Sequence, residues 1–321
     1  MGRIAVTGSV AFDTIMEFGG RFGDHILPDK TNELNVAFLV DRLEKRRGGT
    51  ATNICFSMAL LGEQPLLCAA VGGGDFVEYA AALEFEGVDM SAVLTCDDVG
   101  TATAFITTDR DGNQITAFYP GAMARAAGVD LSVLRDISEV IVGADDAGAI
   151  ALHIDQAKAL GARLLFAPAQ QIPAMSDVVL RRGLEQAWIV AGNDYEFEMI
   201  RERTGLSVDD LSASRTVAVT HGSAGSELRT PDGVSMIPAA AVTEMVDPTG
   251  AGDAYIAGLV TGFRAGATPD VAGRMGALAA AYVVEQNGPQ RHRFDVPGFR
   301  ARYQTAFGVA LDLPFTAPGV E

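Results

Sequence analysis

The run Asp247-Pro248-Thr249-Gly250-Ala251-Gly252-Asp253-Ala254-Tyr255 sets two glycines and a carboxylate where an apolar helix, expected over Asp253 to Ala265, begins. Without Cβ atoms, Gly250 and Gly252 let successive N–H groups approach a polyphosphate, and the helix dipole adds positive potential at the same place. A carboxylate has the wrong sign for an anion site unless it accepts a proton from an attacking hydroxyl. The pattern therefore points to phosphoryl transfer, with Asp253 as general base and the amides of Ala251, Gly252 and Asp253 stabilising charge on the moving group. The plainer alternative is an Asp that caps a helix after a tight turn.

Two further motifs weigh against that alternative. The apolar strand Ile4 to Thr7 runs into Gly8-Ser9 and reaches Asp13, and later come Gly48-Gly49-Thr50-Ala51-Thr52-Asn53 and a helix from about Asn53 to Leu61. With the glycine-aspartate turn and Asn193-Asp194-Tyr195-Glu196, which is similar to an Asn-x-x-Glu element, these motifs resemble the ribokinase-like, or PfkB-type, small-molecule kinases. The resemblance runs from Gly8 to about Gly288. Any one of the four motifs alone would be weak, since a glycine pair before a helix is usually close backbone packing.

The resemblance implies roles for particular residues. Asp13, Gly49 and Asn53, with Ser9 beside them, match the positions that hold the vicinal hydroxyls of the acceptor. A carboxylate and an amide suit a ribose diol, because each can make a bidentate hydrogen bond. Asn193, Thr220, Gly222, Gly225 and Asn287 stand where the family holds ATP, and Glu196 with Asn193 would orient Mg²⁺ through its water shell. Asp247 and Thr249, with carbonyls near Asn287 and Gly288, match a K⁺ site. For Asn193 and Glu196 the bland alternative is that they simply open a helix, and for Asp247 that it caps a turn. His221 reads as a loop residue near ribose rather than a catalyst.

The choice of acceptor rests on aromatic surface. Phe38, Phe105, Phe118 and Tyr119 offer planar apolar area on which a purine could stack, although aromatics on short strands are commonly core filler. Phe118-Tyr119-Pro120-Gly121-Ala122-Met123 and the pair Gln170-Gln171 resemble bacterial adenosine-kinase-type members of the family. That implies a base sandwiched by Phe105 and Phe118, with Gln171 nearby. The expected reaction is transfer of the γ-phosphoryl group of ATP to the 5′-hydroxyl of a nucleoside, adenosine first. A sugar kinase of the ribose or fructose type is the alternative, and a catalytically inactive nucleoside-binding regulator is the alternative of another class.

Composition narrows the partners. The chain has 321 residues, formal net charge −17 and only three lysines, Lys30, Lys45 and Lys158. Such a surface repels nucleic acid and anionic lipid, whereas ATP can still be held by backbone amides, a few arginines and Mg²⁺. There is no Gly-x-x-x-x-Gly-Lys-Ser/Thr loop, and Gly72-Gly73-Gly74-Asp75 is too short for a dinucleotide fingerprint. No apolar run reaches the roughly twenty residues of a membrane span, and Met1 leads straight into a strand, so a cytoplasmic location is expected. Cys55, Cys68 and Cys96 read as reduced core thiols.

These residues must be positioned by a recurring βα rhythm. Apolar strands are expected at Ile4 to Thr7, Pro65 to Val71, Val140 to Val142, Arg163 to Ala167, Trp188 to Ala191 and Thr216 to Thr220. Helices fall between them at Ala151 to Leu160, Ser176 to Gln186 and Asp194 to Arg203. The expected fold is α/β, a doubly wound, mostly parallel sheet with ligands beyond the carboxyl ends of the strands. Thr14 to Phe18 with Glu33 to Val40, and Thr101 to Thr108 with Gln114 to Tyr119, break the rhythm as strands without helices, the second pair joined by a turn at Asp109-Arg110-Asp111-Gly112-Asn113. They are expected to form a small antiparallel β-lid, residues 14–40 and 101–119, on a core of residues 1–13, 41–100 and 120–321. Such a lid would exclude water, and in the resembled family it can carry a homodimer contact. Residues 295–321 are expected to form a short helix and a tail.

Overall fold

The computed structural model describes residues 2–26 and 35–314. The chain opens with β1 (Arg3–Thr7) and β2 (Ala11–Phe18), passes the single turn α1 (Phe22–His25) and returns along β3 (Arg42–Gly48). There follow α2 (Thr50–Leu60), β4 (Leu66–Cys68), β5 (Ala70–Gly72), α3 (Val77–Phe85), β6 (Leu94–Cys96), β7 (Ala102–Asp109) and β8 (Gln114–Tyr119). Regular alternation then sets in with β9 (Ile137–Val142), α4 (Ala147–Ala159), β10 (Arg163–Phe166), α5 (Asp177–Gln186), β11 (Ala187–Asn193), α6 (Asp194–Thr204), α7 (Val208–Ser212) and β12 (Thr216–Thr220). The hairpin β13 (Ser226–Thr230) and β14 (Gly233–Ile237) precedes the helices α8 (Ala251–Arg264), α9 (Pro269–Val284) and α10 (Val296–Phe307).

Eight strands form the main sheet in the order β14-β13-β12-β11-β10-β9-β1-β4, parallel from β12 to β4, with the β13–β14 hairpin antiparallel at one edge. Strands buried on both faces read as continuous apolar runs, and these do. On one face Ile4, Val6, Ile141, Leu165 and Ile189 pack with α2 and α8. On the other, Ala5, Val140, Val142, Leu164, Phe166 and Val190 pack with α4, α5 and α6. Side chains with their own capping oxygens start the connecting helices: Asp146 for α4, Ser176 for α5 and Asn193 for α6. The mostly parallel, doubly wound architecture is the expected one.

A second sheet of four strands, β3-β2-β7-β8, stands apart from the first. Its makeup corrects one expectation. The strand beside β2 is β3, Arg42–Gly48, and not Glu33 to Val40. Residues 35–40 are irregular, and Glu33 and Leu34 lie outside the described residues. Hydropathy misled here: the apolar Phe38 packs into a cluster with Phe18 and Phe22 instead of joining a ladder. The strand itself is Arg-Leu-Glu-Lys-Arg-Arg-Gly, the charged composition suited to a sheet edge.

Two smaller differences concern the main body. The run Pro65 to Val71 divides into β4, which joins the main sheet, and β5, which pairs with β6 in a separate sheet. The run is buried throughout, so its hydropathy does not mark the change of partner. The expected short helix near the C-terminus is α10, twelve residues long, anchored by buried Phe299 and Tyr303 against α9.

Candidate active site

The carboxyl ends of β1, β9, β10 and β11, the start of α2 and the start of α8 converge beside the small sheet. Gly49 begins α2 with φ of 104°, and a Cβ there would sit 2.5 Å from the Ser9 carbonyl oxygen and 2.7 Å from the Ala11 amide. Only glycine fits both the angle and the space. Ser9 braces this junction: its Oγ accepts from the Thr50 amide at 3.0 Å, so the hydroxyl is spent on the start of the helix.

One turn further, Asn53 is buried and points at α8. Its Nδ2 donates to Asp253 Oδ2 at 2.8 Å, and its Oδ1 accepts from Gln290 Nε2 at 2.9 Å. Gln290 also donates to the Tyr79 hydroxyl, which donates to the Gly48 carbonyl at 2.8 Å. Asp253 is thus held by a buried chain of neutral groups rather than by a cation. Its side chain stays partly open to the cleft, but loss of hydration pushes its carboxyl up to about 7; the Asn53 bond opposes the shift and the Glu196 carboxylate adds to it. A base poised near neutrality is what general-base work requires.

Gly250 precedes α8 in the left-handed region, φ 81°, with no side-chain cap, and a Cβ there would lie 2.4 Å from that of Pro289. The Ala251 amide closes the turn on the Pro248 carbonyl at 3.1 Å. That corrects one part of the expected anion cradle, since this N–H is already taken. Those of Gly252 and Asp253 have no partner among the described residues and remain for an anion, and open space surrounds the Cα of Gly252.

Asn193 and Glu196 form a capping box at the start of α6. Asn193 Oδ1 accepts from the Glu196 amide at 2.8 Å, and Glu196 Oε2 accepts from the Asn193 amide at 3.1 Å. The structural role is therefore real, and a further one is compatible with it. Burial pushes the Glu196 carboxyl up, and its charge reaches Asp253. Two carboxylates that destabilise each other across a cleft suit a divalent cation held through water. Among the described residues no group of three or more His, Cys, Asp or Glu could hold a metal directly.

Asp247 is engaged differently from the K⁺ expectation. Its Oδ2 accepts from Arg46 at 3.2 Å and its Oδ1 from the Thr249 amide at 2.9 Å, so both oxygens have partners. Thr249 and Asn287 are exposed on the turns flanking α8 and α9. Thr220, Gly222 and Gly225 form a closed loop after β12, with the His221 amide donating to the Gly225 carbonyl at 2.8 Å. The His221 ring lies 3.7 Å from Asp194 and 3.8 Å from Glu227, off the path to Asp253.

The acceptor side needs a larger correction. Register places Asp13 opposite Arg46 and Ala104, and Ala104 opposite Phe118, so Asp13 and Phe118 share one face of the small sheet. Phe105 pairs with Thr14 and Ala117 and lies on the other face, together with Tyr119, which pairs with Thr103. A one-residue step in a strand reverses the side, so Phe105 and Phe118 of one chain do not sandwich a base. Phe118 is 50% exposed on the cleft side and Phe105 42% exposed on the outward side. Phe38 belongs to the separate aromatic cluster. Gln171 is half buried in the turn after β10, beside Ala169, whose φ of 45° is strained for a residue with a Cβ.

Asp145 was not anticipated. It follows β9, is fully buried, and accepts from the Asp146 amide through Oδ1 at 2.8 Å, while Oδ2 has no partner. Burial pushes it up to about 7. The preceding Ala144 carbonyl accepts from the Ser9 amide at 2.7 Å, which ties the loop after β9 to the loop after β1. An acidic pair directly after an apolar strand was the available signal.

Comparison with known proteins agrees with this geometry. Residues 9–293 match the model of the pfkB family carbohydrate kinases. The chain belongs to that family. Among its PfkB relatives, a nucleoside kinase of Methanothermobacter thermautotrophicus is 30% identical over 313 residues, 95% of this chain and 96% of that protein. An ATP-dependent ribose-1-phosphate kinase of Halopiger xanaduensis is 30% identical over 268 residues, 81% of this chain and 84% of that one. Among solved PfkB structures, Burkholderia thailandensis nucleoside kinase in complex with inosine superposes with a TM-score of 0.86 and 35% identity, covering 96% of this chain and 99% of that one. The fold is ribokinase-like, and the family's chemistry is phosphoryl transfer to small molecules. Among the described residues, no helix is long and apolar enough to cross a membrane.

Proposed function

We propose that this kinase transfers the γ-phosphoryl group of ATP to the 5′-hydroxyl of a nucleoside, with adenosine the first candidate. The observation that carries the reading is the Asn53–Asp253 contact. It fixes a carboxylate of near-neutral pKa at the mouth of the helix whose free Gly252 and Asp253 amides can receive a phosphoryl group. Asp253 takes the proton of the acceptor hydroxyl, and the two amides stabilise charge on the transferring group. Asp13 and Asn53 orient the ribose diol, and the base lies against Phe118 on the cleft face of the small sheet. Thr220, Gly222, Gly225, Asn193 and Asn287 hold the nucleotide.

Glu196 would hold Mg²⁺ through water, and the ion would supply charge neutralisation on the phosphates. No step is assigned to K⁺. The small sheet, strands 11–18, 42–48, 102–109 and 114–119, acts as the lid that keeps water from the transferring group. Two relatives named as nucleoside kinases, one of them holding inosine, support a nucleoside over a free sugar.

The test is a set of initial-rate measurements with ATP and adenosine, inosine, guanosine, cytidine, ribose and fructose. The reading expects kcat/KM for adenosine to exceed that for ribose and fructose by at least about a hundredfold, the worth of binding the base. Preference for inosine over adenosine would change the base assigned. Preference for a free sugar would replace the nucleoside with the sugar-kinase alternative.

A further inference from the structure

Arg46 stands directly across from Asp13 in the antiparallel pairing of β3 with β2, on the cleft side of the small sheet. Its guanidinium leaves that sheet to reach Asp247 Oδ2 at 3.2 Å, and Glu44 Oε2 steadies it at 3.0 Å. The side chains of Arg46 and Asp247 are each 15% exposed, which sets this pair apart from solvated surface pairs that contribute little. The stem of Arg46 runs past Gly288, where a Cβ would lie 3.5 Å from Cδ. Four charged groups, Asp13, Arg46, Glu44 and Asp247, therefore meet where the acceptor carboxylate, the small sheet and the glycine turn come together.

Their signs matter for the acceptor. Burial pushes the Asp13 carboxyl above its usual range, Arg46 pulls it down and Asp247 pushes it up. A diol is held best by an ionised carboxylate, whose two oxygens both accept. The groups facing Asp13 are Arg46 and, behind it, Glu44 on β3, Asp247 before α8 and the buried, protonated Tyr79 hydroxyl on α3.

We propose that Arg46 is a positioning residue for the acceptor, setting its guanidinium across from Asp13 and tying the small sheet to the glycine turn through Asp247. The proposal rests on the assignment of Asp13 to the acceptor hydroxyls, and not on which acceptor carries them. Without Arg46 the Asp13 pKa rises, and acceptor binding fails at a higher pH as pH falls. Without the Asp247 charge it drops, and binding persists to a lower pH.

The experiment measures acceptor and donor KM from pH 5 to 9 for wild type, Arg46→Gln, Arg46→Lys and Asp247→Asn, using whichever acceptor the wild type turns over. Arg46→Gln is expected to raise acceptor KM several-fold toward pH 5, leave donor KM within about twofold, and move the acceptor midpoint up. Asp247→Asn should move the same midpoint down, and Arg46→Lys should restore most of the wild-type profile. Midpoints that stay put, move together, or accompany equal rises in both KM values overturn the proposal. If Arg46→Gln does not fold, the downward shift in Asp247→Asn and the Arg46→Lys profile decide the matter. Asp13→Ala separates the two claims: unchanged acceptor KM there removes Asp13 from the acceptor site itself.

Discussion

Asn53 and Asp253, two hundred positions apart in the chain, are joined by a 2.8 Å hydrogen bond that brings the start of α2 to the start of α8. The bond does more than position the carboxylate. Asn53 is fixed from behind by Gln290, so the pair is rigid before any ligand arrives, which reduces what binding must organise.

Replacing Asp253 with Asn should leave acceptor and ATP affinity nearly intact and lower kcat by roughly two to four decades, the usual worth of a positioned base. Steady-state kinetics beside calorimetric titration of each ligand checks this. Turnover near the wild-type rate would remove Asp253 from its role.

The same carboxyl predicts a pH dependence. It is pushed up to about 7, and the base must be ionised to act, so kcat/KM should fall as pH drops through about 7. The stability effect has the opposite sense: the folded state binds this proton more tightly than the unfolded chain, so ionisation costs stability as pH rises from about 4 to 7. Asp253→Asn should accordingly be more stable than wild type at pH 8, by something on the order of 1–3 kcal/mol, with the gain gone near pH 4. Denaturant melts at the two pH values would show it. Equal differences at both would contradict the assigned shift.

Phe118→Leu should lower kcat/KM for a nucleoside several-fold while leaving a base-less ribose analogue unaffected, since aromatic stacking contributes about 0.5–1.5 kcal/mol beyond buried area. Phe105→Leu, on the outward face, should change neither. Parallel kinetics on the two single variants decides between them, and equal losses would mean that the outward face also meets the base.

Far from the cleft, Arg264 is buried beneath the sheet with Glu139 and is held by Glu63 at 3.0 Å. Arg264→Met removes one of the two guanidiniums that meet buried Glu139, which keeps Arg163, and takes the partner from Glu63, a loss of roughly 1.5–3 kcal/mol. The denaturation midpoint should fall while kcat/KM at permissive temperature is unchanged. A kinetic defect would mean that the sheet transmits more strain to the site than its packing suggests.

Much of this was legible in the sequence, because strand and helix periodicity are local and the glycine motifs dictate their own backbone. Gly49 and Gly250 sit where left-handed angles and close contacts demand glycine, and both were picked out from sequence. What was not legible depends on pairing. The charged strand Arg42–Gly48 lacks the apolar alternation that marks a strand, and the side of the sheet taken by Phe105 or Phe118 turns on register, which no single-strand pattern reports. The Arg46–Asp247 pair, 201 positions apart, is a long-range outcome of the same kind.

The central claim is that Asp253 activates the 5′-hydroxyl of a nucleoside toward ATP. The most direct measurement is phosphorus NMR of the products formed from ATP and adenosine by wild type and by Asp253→Asn. The account predicts ADP and a monophosphate bearing phosphorus on O5′ from the wild type, and almost none from the variant. ADP appearing with free phosphate and no nucleotide ester, or with a phosphorylated free sugar only when ribose or fructose is supplied, would contradict it.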